Sequence, residues 1–70
     1  MAFQVGQSVE WNWGNGTATG KVTQIYTRKI TKTIKGTDVT RNGYDEDPAL
    51  LIEQADGSQV LKSSTELSAA

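Results

Sequence analysis

Turn signals divide this chain into short segments, and their spacing constrains the fold more than any other feature of the sequence. Glycine-containing turns fall at Gly14-Asn15-Gly16, Gly36, Asn42-Gly43 and Asp56-Gly57. Between them the apolar residues alternate with a period of two, which is the period of a β-strand, whereas a helix repeats every 3.6 residues. Short alternating segments joined by such turns predict an all-β chain built from hairpins.

The alternation also places the strands. We predict strands near residues 8–13, 17–26, 49–54 and 59–62. Gly20 is expected to mark a bend or bulge where the second strand curves. Val22 and Tyr26 share a face by strict alternation, yet Ile25 should also be buried, and a bulge would reconcile them. The segment 49–54 is the most apolar strand, and Asp56-Gly57 joins it to the last one. The spacing of Ser63 and Glu66 is that of a capping box, which predicts a single helical turn that presents Leu67 as a lid on the barrel.

The segment from Thr27 to Lys35 is rich in threonine and in basic residues. Its β-propensity is high and its apolar content is low. These properties favour either an exposed, mobile hairpin arm or an edge strand protected by lysines. Gly36 is expected to form the turn of this hairpin arm, and Val39 and Thr40 are expected to lie in its second strand.

Composition excludes several function classes. The chain has 70 residues with no cysteine and no histidine. Disulfides and thiolate metal sites are therefore impossible, and the commonest general base is missing. We expect no catalytic residues, no cofactor and no metal site. We find no signal-peptide pattern and no apolar run of membrane-spanning length, so we expect a cytoplasmic protein without membrane contact.

Together these features predict one SH3-like or Tudor-like barrel over residues 1–70, with residues 1–4 and 68–70 partly frayed. We expect about five strands, a long second hairpin arm and a short C-terminal helical turn. Three motifs point to a particular family of such barrels: Phe3-x-Val5-Gly6-x-x-Val9-x-Trp11, Gly20-Lys21-Val22 and the closing Lys62-x-x-x-Glu66-Leu67. With them the chain resembles the hypervirulence-associated Tudor-like domains, small bacterial and fungal proteins. The resemblance implies a small barrel but identifies no ligand.

Aromatic residues are the first candidates for a binding site. Trp11 shares a strand face with Val9 and is expected in the core. Trp13 lies at the strand end beside a turn, where the barrel rim is open and a second tryptophan is not needed to close the core, but the sequence does not decide whether Trp13 is in the core or exposed. Tyr44 is followed by the acidic run Asp45, Glu46 and Asp47. A Tudor-type reader encloses a methylated ammonium with rings and a carboxylate, and this rim has both groups. We therefore predict a protein or peptide partner at Trp13, Tyr44 and residues 45–47.

Nucleic acid is the alternative partner. Four basic residues, Arg28, Lys29, Lys32 and Lys35, lie within the arm and are able to contact phosphates. The sequence pI of about 5.1 argues against a dedicated nucleic-acid binder. A further alternative is that the basic and the acidic segments are both solvated loops without a binding role. The arm is also able to pair with the arm of a second molecule of the same protein, so the sequence is compatible with a monomer and with a weak homodimer.

Overall fold

Seven strands and one 3₁₀ turn are present in this computed structural model, which describes residues 3–70. The strands are β1 (Ser8–Trp13), β2 (Gly16–Tyr26), β3 (Ile30–Ile34), β4 (Thr37–Arg41), β5 (Ala49–Glu53), β6 (Gln59–Ser63) and β7 (Ser68–Ala69). The 3₁₀ turn spans Ser64–Glu66. Five strands form one sheet in the order β6-β5-β2-β1-β7, and β3 pairs with β4 alone. The predicted small all-β barrel with a second hairpin arm is confirmed.

The long strand β2 belongs to two hairpin-like pairs. Its first half pairs with β1 and its second half with β5. The register with β5 shifts between Val22 and Gln24, which leaves Thr23 as the extra residue of a bulge. The bulge therefore lies at Thr23, between Val22 and Ile25, where the imperfect alternation predicted one, and no register shift occurs at Gly20. A Cβ at Gly20 would lie 2.5 Å from Cγ2 of Ile52, so this glycine permits close approach of β2 and β5.

The two-residue turns follow the chemistry of their sequences. Gly14 has a φ of 54°, and the next turn residue does not have a positive φ, as in a type II′ turn. Lys35 and Gly36 both have positive φ, 52° and 78°, as in a type I′ turn. Lys35 thus adopts a left-handed backbone conformation, which is energetically unfavourable for residues other than glycine.

Strand β5 is buried on both of its faces. Leu50 and Ile52 point to one side, where they join a core cluster with Phe3, Val9, Trp11 and Val22. Trp11 is only 5% exposed, so its predicted place in the core is confirmed. Because side chains alternate across a strand, Ala49 and Leu51 point to the opposite side.

That opposite side carries a second core cluster. Ala49, Leu51 and Leu61 form it, and the β3–β4 arm covers it with Ile30, Ile34 and Val39. The sequence suggested an exposed arm or an edge strand. The structure shows a hairpin with one packed face, because its few apolar residues all lie on that face. The continuous apolar run Ala49–Ile52 is the sequence pattern of a strand that is covered on both sides.

The C-terminal segment closes the main sheet. Leu67 packs against the first core cluster, in agreement with its predicted role as a lid. Ser68 and Ala69 pair with Glu10 and Val9 of β1. Fraying of residues 1–4 and 68–70 in solution stays a prediction, and residues 1 and 2 lie outside the described part. Among residues 3–70, no helix has the length and apolar character needed to cross a membrane.

Candidate functional site

The acidic segment forms a closed turn from Tyr44 to Asp47. The backbone N–H of Tyr44 donates to the carbonyl oxygen of Asp47 at 3.0 Å, and the N–H of Asp47 donates back at 3.2 Å. Gly43 precedes the turn, is buried, and donates its N–H to the carbonyl of Arg28 at 3.0 Å. Backbone hydrogen bonds therefore fix both the shape of this turn and the point where it joins the rest of the protein.

Asp47 is the anchor of this turn. Its Oδ1 accepts hydrogen bonds from the Ser64 hydroxyl at 2.6 Å and from the Thr65 N–H at 3.2 Å. The Ser64 hydrogen bond is the main cause that lowers the pKa of Asp47 below its ordinary value of 3.8. Asp45 and Glu46 differ from it, because both are exposed and neither forms an ion pair within residues 3–70.

Two large aromatic rings are exposed. Trp13 is 71% exposed and Tyr44 is 56% exposed. Trp13 stands opposite Gly16 at the tip of the β1–β2 hairpin, so no side chain covers it from the paired position. Tyr44 belongs to the acidic turn. The structure thus joins Tyr44 with Asp45, Glu46 and Asp47 in one turn and places Trp13 on a separate hairpin tip.

The basic residues of the arm do not share one location. Arg28 and Lys32 both lie near the ring of Tyr26, with the guanidinium carbon 6.0 Å and the ammonium nitrogen 5.6 Å from the ring centroid. The Tyr26 hydroxyl donates to the side chain of Gln24. This ring is therefore already in contact with two cations, which compete with any base that would stack on it.

Lys35 lies at the opposite end of β3 from Arg28, in the hairpin turn. The hydrogen bond from the Ser58 hydroxyl is the first cause that lowers the pKa of Asp56, and the charge of Lys35 contributes in the same direction. Lys35 and this carboxylate of the β5–β6 turn attract each other, but they form no ion pair among residues 3–70. Lys29 is exposed between Arg28 and β3.

A cleft beside the acidic turn includes residues that the sequence did not single out as a site. It measures about 290 Å³ and is lined by Phe3, Glu46, Ser64, Thr65 and Leu67. The capping-box spacing of Ser63 and Glu66 was the sequence signal for one wall of this cleft, because it predicted the helical turn that carries residues 64–67. Phe3 carried no such signal. Within the described residues, no three acidic side chains are grouped so that they could hold a metal ion.

Comparison with known proteins identifies the family. The model of the family described as "Hypervirulence associated proteins TUDOR domain" matches residues 6–67, nearly the whole chain. Comparisons with curated proteins and with solved structures found no match. The family match agrees with the resemblance seen in the sequence and with the all-β architecture. The chain therefore belongs to the family of hypervirulence-associated TUDOR domains.

Proposed function

We propose that this protein is a non-catalytic interaction module that binds a basic segment of another protein. TUDOR-like domains are generally non-catalytic folds that bind peptides or nucleic acids. The observation that carries the proposal is the closed turn 44–47, which holds an exposed ring beside two carboxylates that have no ion-pair partner in the described residues. A ring and a carboxylate attract the same cation, the ring through its quadrupole.

Trp13 supplies the second contact in this proposal. An exposed tryptophan offers a large, rigid apolar surface at little cost in side-chain entropy, and such residues dominate binding energy at interfaces. The hairpin tip that carries it stands outside both core clusters. The proposal sets the module in the reducing cytoplasm, since a chain without cysteine depends on no disulfide.

Nucleic acid is less favoured. The basic residues nearest to an aromatic ring, Arg28 and Lys32, already contact the ring of Tyr26, and Lys35 is attracted by the charge of Asp56. Phosphates would also meet repulsion from Asp45 and Glu46. A weak homodimer through the arm stays a separate hypothesis. On the unpacked face of the arm the hydroxyls of Thr31 and Thr40 share a hydrogen bond, and the Thr33 hydroxyl donates to Asp38.

The test is an amide chemical-shift titration with three probes. A blocked peptide of alternating lysine and alanine should shift Tyr44, Asp45 and the indole of Trp13, whereas a matched peptide of glutamine and alanine should not. Short DNA and RNA at low and moderate salt form the second probe, and dilution of the protein alone forms the third. Absence of these shifts with the lysine peptide would refute the proposal, and salt-sensitive shifts confined to residues 28–35 with nucleic acid, or shifts on dilution, would then favour nucleic-acid binding or self-association in its place.

Matched variants separate binding from folding. Trp13→Ala and Tyr44→Ala should each weaken binding of the lysine peptide several-fold and leave the dispersion of the amide spectrum intact. Val5→Ala is the control, because Val5 is an equally exposed apolar residue that lies on neither loop. If Trp13→Ala unfolds the protein, Trp13 belongs to the core and the rim proposal fails.

A further inference from the structure

The cleft beside the acidic turn has an apolar floor and a polar rim. Phe3 is buried at its base, and Leu67 is half-buried while it packs against the first core cluster. Glu46, Ser64 and Thr65 supply the polar groups around it. With about 290 Å³ it is at the lower end of the size range of ligand pockets, which suits one side chain rather than a complete cofactor.

Both walls of the cleft are held by hydrogen bonds. Asp47 ties the acidic turn to Ser64 and Thr65, as described above. The N–H of Ser64 donates to the carbonyl of Pro48 at 2.9 Å, and the N–H of Leu67 donates to the carbonyl of Ser64 at 3.1 Å. The walls are therefore set before any ligand arrives, which reduces the entropy that binding must remove.

The charge of the cleft favours a cation. Glu66 on the same 3₁₀ turn is paired with Arg41 at 3.4 Å and with Lys62 at 3.7 Å. Glu46 forms no ion pair among residues 3–70. The hydroxyl of Ser64 donates its hydrogen to Asp47, so its remaining capacity is to accept. The rim thus offers a carboxylate and hydroxyl oxygens as acceptors above an apolar floor.

We propose that this cleft binds one lysine side chain of the basic partner segment, with the alkyl stem against Phe3 and Leu67 and the ammonium on Glu46. A lysine has an apolar stem and a compact charged tip with three donors, which match the separate acceptors of Glu46, Ser64 and Thr65. Arginine fits less well, because its rigid planar guanidinium directs its donors in one plane, whereas the acceptors of Glu46, Ser64 and Thr65 are separate groups. The inference rests on the proposed function, since it specifies what the partner inserts beside Tyr44.

The first experiment compares peptides of equal charge. In the lysine and alanine peptide, each lysine is replaced by 2,4-diaminobutyric acid, which keeps the ammonium and removes two methylenes. Loss of two buried methylenes should weaken binding about tenfold. The side-chain methyl signals of Leu67 should shift with the lysine peptide and much less with the shorter one. Equal affinities for the two peptides would overturn the inference.

The second experiment uses two variants of the same turn. Glu46→Gln removes the carboxylate that lines the cleft, and Asp45→Asn removes its exposed neighbour, which does not line it. We expect Glu46→Gln to weaken the lysine peptide about tenfold and to abolish its preference over the shorter peptide, with a much smaller effect from Asp45→Asn. Equal effects would mean general attraction by the acidic turn and no lysine cleft.

The two proposals fail in different ways. If the lysine peptide shifts Trp13 and Tyr44 but not the methyl groups of Leu67, the peptide-binding function stands and the cleft assignment is wrong. If it shifts none of these signals, the proposed function fails, and the cleft assignment fails with it. The amide spectrum of each variant verifies that the fold is intact.

Discussion

The second core cluster predicts that Leu51 is as important for stability as a residue inside the barrel. Leu51 is 6% exposed and is covered by the arm residues Ile30, Ile34 and Val39. Burial of a leucine side chain contributes about 1.5–3 kcal/mol, and the cavity left by Leu→Ala adds to the loss. We therefore expect Leu51→Ala to lower the free energy of unfolding by about 2–4 kcal/mol.

The assay is urea unfolding followed by tryptophan fluorescence. Trp13→Phe as the common background leaves the buried Trp11 as the single reporter. Val5→Ala is the control and should change stability by less than about 0.5 kcal/mol, because Val5 is 65% exposed. A loss below about 1 kcal/mol for Leu51→Ala would show that the outer face of β5 is solvated and that the arm does not cover it.

A domain of 70 residues has roughly 4–10 kcal/mol of stability in total, so Leu51→Ala is able to unfold a large part of the molecules. Leu51→Val and Ile34→Val give the same test with smaller changes, each expected to cost about 0.5–1.5 kcal/mol. If both are neutral while Ile52→Val, in the first cluster, is costly, the second core has no energetic role.

Three further predictions test local features of the fold. Gly43→Ala should destabilise the protein by about 1–3 kcal/mol in urea unfolding, because the added Cβ would lie 2.8 Å from the Arg28 carbonyl oxygen and closer still to that of Tyr26. Gly16→Ala is its control, since the nearest atom there is 3.9 Å away. Lys35→Asn should raise the free energy of unfolding by several tenths of a kcal/mol, because asparagine tolerates a positive φ better than lysine; no gain would contradict a type I′ turn. Because the pKa of Asp47 is lowered in the folded protein, its ionised carboxylate stabilises the fold at pH values above the unfolded pKa of 3.8. This stabilisation should be lost as the pH falls through the folded pKa. Asp47→Asn should flatten that acid dependence in pH-resolved unfolding, and an unchanged dependence would show that Asp47 is not the anchor.

The sequence predicts the strands well because their signals are local. Alternation of Val9, Trp11 and Trp13 gave β1, and the glycine turns gave the hairpins. The local position of Trp13, at a strand end next to a turn, made a rim site possible, and only the structure shows that the ring is exposed. Trp11 and Trp13 share a face of β1, yet only the first is covered, which pattern alone does not distinguish.

Features that depend on distant parts of the chain were harder to predict. The burial of the arm depends on which strand it folds over, and its own threonines and lysines gave no sign of that. The imperfect alternation of Val22, Ile25 and Tyr26 indicated a bulge, but its exact residue, Thr23, depends on the register with β5, which is far away in sequence. The cleft brings Phe3, Glu46 and Leu67 together from three separate segments, so no local pattern in the sequence marks it.

The division between stability and binding follows from how β5 is used. A chain with 36% hydrophobic residues and no disulfide has few ways to stabilise itself, and a strand buried on both faces serves two core clusters at once. The arm is therefore needed as a cover for the second cluster, and its apolar face is not free for a ligand. The turns at 14–16 and 44–47 contribute to neither cluster. Apart from the anchor Asp47, they are thus able to carry exposed rings and carboxylates without loss of stability, and substitutions of Trp13, Tyr44 and their exposed acidic neighbours should change binding while the fold is preserved.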